Sequence, residues 1–435
     1  MEPKKSLTSR ISSILFWSII SAAFIGPGTV TTTSLAGASY QYALLWALTF
    51  ATIATIFLQE AAARVTLASG LSLGEAISMR YSSGNSKFIK LFIASAILLG
   101  GAAYQAGNVL GAVSGLSLML TINPKLLTII LIALAGFFLW IGNTTSISKV
   151  LGLIVAMMGF VFIVVAFSIQ HNGTAIVKSL VLPSIPEGAD LLVIGLIGTT
   201  IVPYNLFLAS GISKGQSIQE MRFGITTAVA IGGIISMAIL LVGTQVSGEF
   251  SFANLAGTLE NNLGKWSGLL FGIGLFAAGF TSSVTAPFAS SLTVQSIYGA
   301  NDKSWSISSK KFRSIWIITL LIGLIFGLSG VKPIPVIVAA QALGGILLPF
   351  ITIFLFLIVN DPKTLPKEYL NKGITNIVML FIIGLTTFLG LNNVFKAINA
   401  ASGLDLPFEN IFIWLIIISV LIAVLLAFKV YRARK

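Results

Sequence analysis

Two short stretches decide how this chain reads: Gly26-Pro27-Gly28-Thr29 and Thr200-Ile201-Val202-Pro203-Tyr204-Asn205. Each lies inside an apolar run long enough to cross a bilayer, 14–36 for the first and 190–211 for the second. A proline within a helix removes one backbone hydrogen bond, and its ring clashes with the preceding turn. In lipid, backbone groups freed in this way are tolerated where they line a cavity or where neighbouring helices satisfy them. Two such breaks, five spans apart, predict paired half-helices at mid-membrane and a substrate site near the bilayer midplane.

The rest of the chain agrees with a membrane setting. Of its 435 residues 56% are apolar and 9% are charged, against roughly 25% charged in an ordinary soluble domain. That composition excludes a soluble globular fold, and it excludes disorder, which requires the opposite balance. Apolar runs fall at 14–36, 43–68, 88–120, 126–142, 147–169, 190–211, 222–247, 265–295, 311–329, 332–359, 373–394 and 409–429. The expected architecture is an all-α polytopic membrane protein of about 12 spans, one transporter domain over 1–435. Spans 1–5 and 6–10 form inverted repeats, about 12–170 and about 189–359, and two further helices occupy about 373–430.

Charge sets the orientation. The formal net charge is +13, from 26 Lys and Arg against 13 Asp and Glu. With the N-terminus inside, 21 of the 26 basic residues fall on the cytoplasmic side. The five opposite them are Lys125, Lys178, Lys265, Lys332 and Lys396. This asymmetry is the positive-inside pattern; it places both termini in the cytoplasm and explains the basic excess without nucleic acid. The first apolar run lacks a small-residue cleavage site and is read as a span rather than a removable signal. Cysteine is absent, so there are no disulfides and no thiolate ligands. No nucleotide-binding loop, zinc-protease motif or catalytic-triad pattern is present, so the chain is not read as an enzyme and calls for no cofactor.

A family becomes visible in the segments around the breaks. Gly26-Pro27-Gly28-Thr29, Leu35-Ala36-Gly37-Ala38-Ser39-Tyr40, Leu44-Leu45-Trp46, Leu58-Gln59 and Ala61-Ala62-Ala63-Arg64 resemble the first two helices of NRAMP transporters. Pro203-Tyr204-Asn205-Leu206-Phe207-Leu208-Ala209-Ser210 resembles the family's Met-Pro-His segment, and Gln341 to Pro349 with Asn360-Asp361 resembles its tenth helix and exit loop. The resemblance implies a LeuT-like fold and secondary transport, with divalent transition metals as the usual cargo and protons as the usual driver. It implies a multi-pass protein of the plasma membrane, bacterial in type and monomeric, with the lipid bilayer and a small solute or ion as partners.

The departures fall on the residues that carry the family's chemistry. Where the family's first helix reads Asp-Pro-Gly-Asn, this chain has Gly26 and Thr29; the family's sixth-helix Met is Val202, and its two His positions are Tyr204 and Ala209. The Asp and Glu of the family's proton route correspond to Gln105 and Asn108. Gln341 is kept, and the carbonyls of Ala23 and Thr199 do not depend on side chain. The expected substrate site is therefore Ala23, Gly26, Thr29, Thr199, Val202, Tyr204 and Gln341, with aromatic walls from Phe24 and Phe207. Gln105, Asn108 and Ala209 mark former proton-route positions.

Such a site is neutral. None of the 13 carboxylates falls near either break, and the one histidine, His171, belongs to an outer loop. A dehydrated divalent ion needs carboxylates or many oxygen ligands, and transition metals prefer His, Cys or Met with carboxylate support. Three expectations follow: transport of a small polar organic solute, low-affinity passage of a divalent ion (Mn or Mg) through carbonyls and Gln341, or a non-transporting receptor or scaffold. Proton coupling in the family's manner is not expected, because amides do not titrate. Thr281, Ser282, Ser283 and Thr285 offer a hydroxyl-lined cation site as an alternative driver, or simply glue between helices. Elsewhere, Glu60 and Arg64 are spaced for an i,i+4 ion pair. Asn172-Gly173-Thr174 matches a glycosylation acceptor, Met157-Met158 reads as packing, and Trp46, Trp266, Trp305 and Tyr431 read as interfacial anchors.

Overall fold

The structure is a computed structural model and describes residues 25–81, 86–142, 145–299, 302–402 and 408–434. Among them the chain is helical, with no strand. The first helix, α1 (Pro27–Tyr40), starts because Gly26 is extended (φ −98°, ψ −177°), and Pro27 takes the first helical position, where a missing N–H costs nothing. It forms the outer half of the first expected span; residues 14–24, the other half, lie outside the described residues. Helix α2 (Leu45–Ser69) ends at Gly70 in the left-handed region. A capping box of Ser72 and Glu75 then opens α3 (Leu73–Arg80). Helices α4 (Ser86–Ser117), α5 (Pro124–Ile141) and α6 (Thr145–Ser168) complete the first set, and α7 (Gly173–Val181) sits in the following loop.

The sixth span is two helices, α8 (Asp190–Thr200) and α9 (Pro203–Ile212). After them come α10 (Ile218–Gly243), the short α11 (Phe252–Leu263), α12 (Lys265–Tyr298), α13 (Lys310–Leu328), α14 (Pro333–Ile358), α15 (Gly373–Ser402) and α16 (Phe408–Arg434). Eleven stretches among the described residues are long and apolar enough to cross a membrane, from Leu45–Ser69 to Ile411–Arg434. They coincide with expected spans 2 to 12, with α8 and α9 counted together.

Between lipid-solvated helices no hydrophobic drive remains, so close association depends on small residues and packing. Helices α4 and α12 run along each other over most of their length. They are tightly apposed at Gly115 and Gly279, where a Cβ would press on the facing backbone. Helix α8 packs on α14, and α10 on α1 and α2. The main buried core runs through these central helices. A second core, with Val109, Leu131, Phe280, Phe312 and Trp316, joins α4, α5, α12 and α13. Helix α16 stays outside, with Ile413, Trp414, Val420 and Leu421 exposed.

Some peripheral expectations change. Trp46 is buried, and its indole N–H donates to the Ser184 carbonyl at 2.7 Å. It is therefore an internal tie and not an interfacial anchor, because an indole that finds a partner inside has no need of the headgroup region. Trp266 and Tyr431 are exposed, as anchors are. Asn172 caps α7 by accepting from the Ala175 N–H, which gives it a structural task. Met158 is fully buried while Met157 is exposed, so the pair divides between core and lipid face. His171 is engaged by the Tyr42 hydroxyl at 3.2 Å and the Ala166 carbonyl at 2.9 Å.

Candidate functional site

The two breaks meet in the middle of the fold. Helix α8 closes with the Ile201 N–H on the Ile197 carbonyl at 2.8 Å. Val202 is then extended (φ −74°, ψ 119°), and Pro203 starts α9. Thr29, in the first turn of α1, and Thr199, in the last turn of α8, place their hydroxyl oxygens 2.8 Å apart. Both threonines are buried. Helix α14 crosses beside this contact. A Cβ at Gly28 would overlap the Gln341 side-chain amide, and a Cβ at Gly198 would overlap the Gln341 carbonyl. Glycine is thus required at 198, where the neighbour is α14 backbone, whereas at 28 a Cβ would have to displace the Gln341 amide. Gln341, kept in the sequence, sits between the two broken helices.

Two tyrosines complete the crossing. Tyr104 of α4 donates its hydroxyl to the Gly198 carbonyl at 2.8 Å. Its ring meets that of Tyr204 edge to face, with centroids 5.6 Å apart. The Thr55 hydroxyl of α2 reaches the Thr200 carbonyl at 3.4 Å. Two of the carbonyls that a broken helix offers to a cation therefore already accept hydroxyl donors. Asn205, in the first turn of α9, is fully buried, and neither atom of its amide has a partner among the described residues. Buried polar groups are normally satisfied, so this amide is available to a bound molecule.

The site is built from hydroxyls, phenols and amides. Among the described residues no three of His, Cys, Asp and Glu gather closely enough to hold a metal ion. The remaining electrostatics come from the backbone: the N-termini of α1 and α9 carry partial positive charge and the C-terminus of α8 partial negative charge. A molecule placed there meets dipoles of both signs and no full charge.

Of the residues expected from sequence, Gly26, Thr29, Thr199, Val202, Tyr204 and Gln341 belong to the breaks or the helix crossing them. Ala23 and Phe24 lie outside the described residues. Phe207 lines a different space, a cavity of about 290 Å³ bounded also by Glu75, Lys214 and Ser296. Ala209 is buried in the second turn of α9, away from the break. Gln105 and Asn108 lie on α4, behind the crossing. The hydroxyl group expected on α12 is not assembled as one site. Thr281 donates to Ala277 at 2.8 Å and Thr285 to Thr281 at 3.0 Å, both within their own helix. Ser282 stands against Gly26, with its hydroxyl 3.3 Å from where a Cβ would be.

Tyr104, Thr55 and Asn205 were not singled out from sequence. Tyr104 carried a usable signal, a tyrosine set after Gly100-Gly101-Ala102-Ala103 in mid-span. A phenol there needs a polar partner, since lipid offers none.

On the face bearing the basic loops the chemistry is different. Arg64 and Arg222 both bind Glu60, at 3.0 and 2.9 Å. Arg64 also donates to the Tyr369 carbonyl and to Asn371 Oδ1. Arg434, at the end of α16, donates to Asn360 Oδ1 and to the Asn371 carbonyl. Arg80 of α3 pairs with Asp361. The expected Glu60–Arg64 pair is therefore one link of a network joining α2, α10, α16 and the segment between α14 and α15.

Two broken helices, eleven stretches among the described residues long and apolar enough to cross a membrane (the broken sixth span being one of them) and a polar crossing define a multi-pass membrane transporter rather than an enzyme. The sequence model of the family described as natural resistance-associated macrophage protein-like matches residues 18–396. The chain belongs to that family, the NRAMP transporters, and is an integral membrane protein. It is 28% identical to a divalent metal cation transporter, MntH, of Pectobacterium carotovorum over 357 residues, covering 77% of this chain and 84% of that one. It is 25% identical to the metal transporter Nramp3 of Oryza sativa over 427 residues, covering 91% and 76%. In three dimensions it resembles the manganese transporter of Eremococcus coleocola, with TM-score 0.74, 18% identity, and 99% and 97% of the two chains covered. It also resembles Mhp1, a nucleobase-cation-symport-1 family transporter, with TM-score 0.54, 16% identity, and 97% and 92% covered. The fold is LeuT-like, as the family resemblance implied.

Proposed function

We propose that this chain is an alternating-access secondary transporter whose central site selects cargo by hydrogen bonding instead of by full charge, and that the cargo is a small polar or zwitterionic organic solute. One observation carries the reading: every side chain at the crossing of the two breaks, from Thr29 and Thr199 to Tyr204, Asn205 and Gln341, is uncharged. A solute carboxylate is favoured at the N-termini of α1 and α9, and a cationic group at the C-terminus of α8. Tyr204 offers a ring face to a quaternary ammonium group. The repeats, about 12–170 and about 189–359, rock against each other around this site in one domain, monomeric in the plasma membrane. With Gln105 and Asn108 in place of titratable groups, uptake has weak or no proton coupling.

The test is flux into liposomes holding the purified chain. Manganese entry no faster than into protein-free liposomes, with saturable uptake from a panel of betaines and amino acids, supports the proposal. Rapid manganese uptake abolished by Thr29→Val or Tyr204→Phe overturns it. That second result belongs to the other reading, low-affinity passage of a divalent ion through carbonyls and Gln341, which the names of the relatives favour. A receptor or scaffold is the outcome if cysteine cross-links, introduced into this cysteine-free chain, detect a single gate state only.

A further inference from the structure

Where α4 packs along α12, three polar side chains each carry a buried atom without a partner among the described residues. Gln105 and Asn108 lie one turn apart on the same face of α4, and Ser283 lies on α12, which packs along α4. Gln105 and Ser283 are fully buried and Asn108 is 5% exposed. Gln105 Nε2 donates to the Ser283 carbonyl at 3.3 Å, which holds the amide beside Ser283 and leaves its oxygen as the open atom. Gln105 Oε1, Ser283 Oγ and the Asn108 amide nitrogen have no hydrogen-bond partner among the described residues. A buried polar atom that makes no hydrogen bond destabilises the fold, because it has lost water and gained no partner. Three such atoms at one helix contact are a standing cost unless a guest offsets it.

We propose that this cluster binds a small dehydrated monovalent cation of sodium size. The Gln105 oxygen only accepts, so the guest must bring positive charge or a donor hydrogen. The Ser283 hydroxyl adds a second oxygen. The Asn108 amide adds a third by a half-turn about its terminal bond, which exchanges its oxygen and nitrogen. Nothing in the cluster carries negative charge, so a divalent ion would be uncompensated, whereas one positive charge among amide and hydroxyl dipoles is not.

The position gives the ion leverage. Gln105 follows Tyr104, which holds the Gly198 carbonyl and meets Tyr204. Ser283 follows Ser282, which stands against Gly26. Drawing α4 and α12 together around an ion therefore moves one neighbour of each broken helix. Use of that movement as a driver rests on the transport reading above; binding of the ion does not.

The experiment is thermal unfolding of the purified full chain in detergent, in sodium chloride against potassium chloride and N-methylglucamine chloride at equal ionic strength. A saturable rise of several degrees in sodium, absent in N-methylglucamine, is expected. Ser283→Ala abolishes the rise and Thr285→Ala keeps it. Equal melting in all three salts, or a full rise in Ser283→Ala, overturns the proposal and leaves water as the guest. If Ser283→Ala does not fold, radioactive sodium binding to the unaltered chain decides: saturable binding of one ion per chain supports the site, and none overturns it. A sodium shift without solute flux would count against the transport reading alone.

Discussion

The central crossing and the network on the basic face share helix α2 but join different sets of helices, with different chemistry. At the crossing, α1 and α8 meet through one hydroxyl pair at 2.8 Å, and α4 reaches α8 through one phenol. On the basic face, α2 is held through Arg64, which binds Glu60, the Tyr369 carbonyl and Asn371 together. Neutral hydrogen bonds between membrane helices contribute about 0.6 kcal/mol each, rarely above 1.7. Breaking a buried ion pair by removing one partner costs about 3–5 kcal/mol, because the remaining charge stays buried. The weak contacts lie where the two broken helices cross, and the strong ones lie on the basic face. If the chain works by alternating access as proposed, that contrast marks the crossing as the part that yields and the network as the frame.

The largest expected effect tests the frame. Arg64→Met removes the donors to Glu60, the Tyr369 carbonyl and Asn371 together, leaves Glu60 to the more exposed Arg222 alone, and should destabilise the chain by about 3 kcal/mol, read as a fall in the thermal midpoint or as loss of a monodisperse peak on size exclusion. A shift no larger than that of an exposed-charge variant would show that the network is not a frame.

Next comes packing at the crossing. Gly198→Ala drives a Cβ into the backbone of α14 at Gln341 and Gly345, an overpacking cost of about 1–3 kcal/mol. Gly28→Ala meets only the movable Gln341 amide and should cost less. Equal midpoints for the two variants would contradict the distinction between rigid and yielding neighbours.

A smaller effect probes the hydroxyl contact at the crossing itself. Thr29→Val should cost about 1 kcal/mol by leaving the Thr199 hydroxyl unpaired. Removing both hydroxyls in Thr29→Val with Thr199→Val should recover part of that stability, since an apolar pair of the same shape leaves nothing unsatisfied. Transport should stay impaired in the double variant. Additive destabilisation would show that the two hydroxyls do not act on each other. The smallest effect is Arg222→Ala. Its side chain is 58% exposed beside Glu60, and a surface pair is worth about 0–1 kcal/mol. A midpoint within error of the parent chain is expected.

Reading the sequence reached the breaks, the spans and the family, because each is written in local order. Pro27 and Pro203 end helices wherever they stand, apolar runs of span length have one stable setting, and lysine counts follow loops. It also reached Gln341 and Thr29 by resemblance. It did not reach Tyr104 on the Gly198 carbonyl, Thr55 on the Thr200 carbonyl or the buried, unpartnered amide of Asn205, since each depends on how two helices are rotated about their axes. The hydroxyl group on α12 illustrates the limit. Four hydroxyl residues within five positions look like one site, yet a helix turns about 100° per residue and spreads them around its circumference. Two of them bond their own backbone.

What the sequence determined alone is the class: apolar length fixes the membrane, the prolines fix where helices stop, and the scarcity of carboxylates fixes a neutral centre. Only the tertiary structure decided which neutral groups face one another. Hydrogen bonding between helices is set by register and rotation to within a fraction of a turn, and composition carries no record of either.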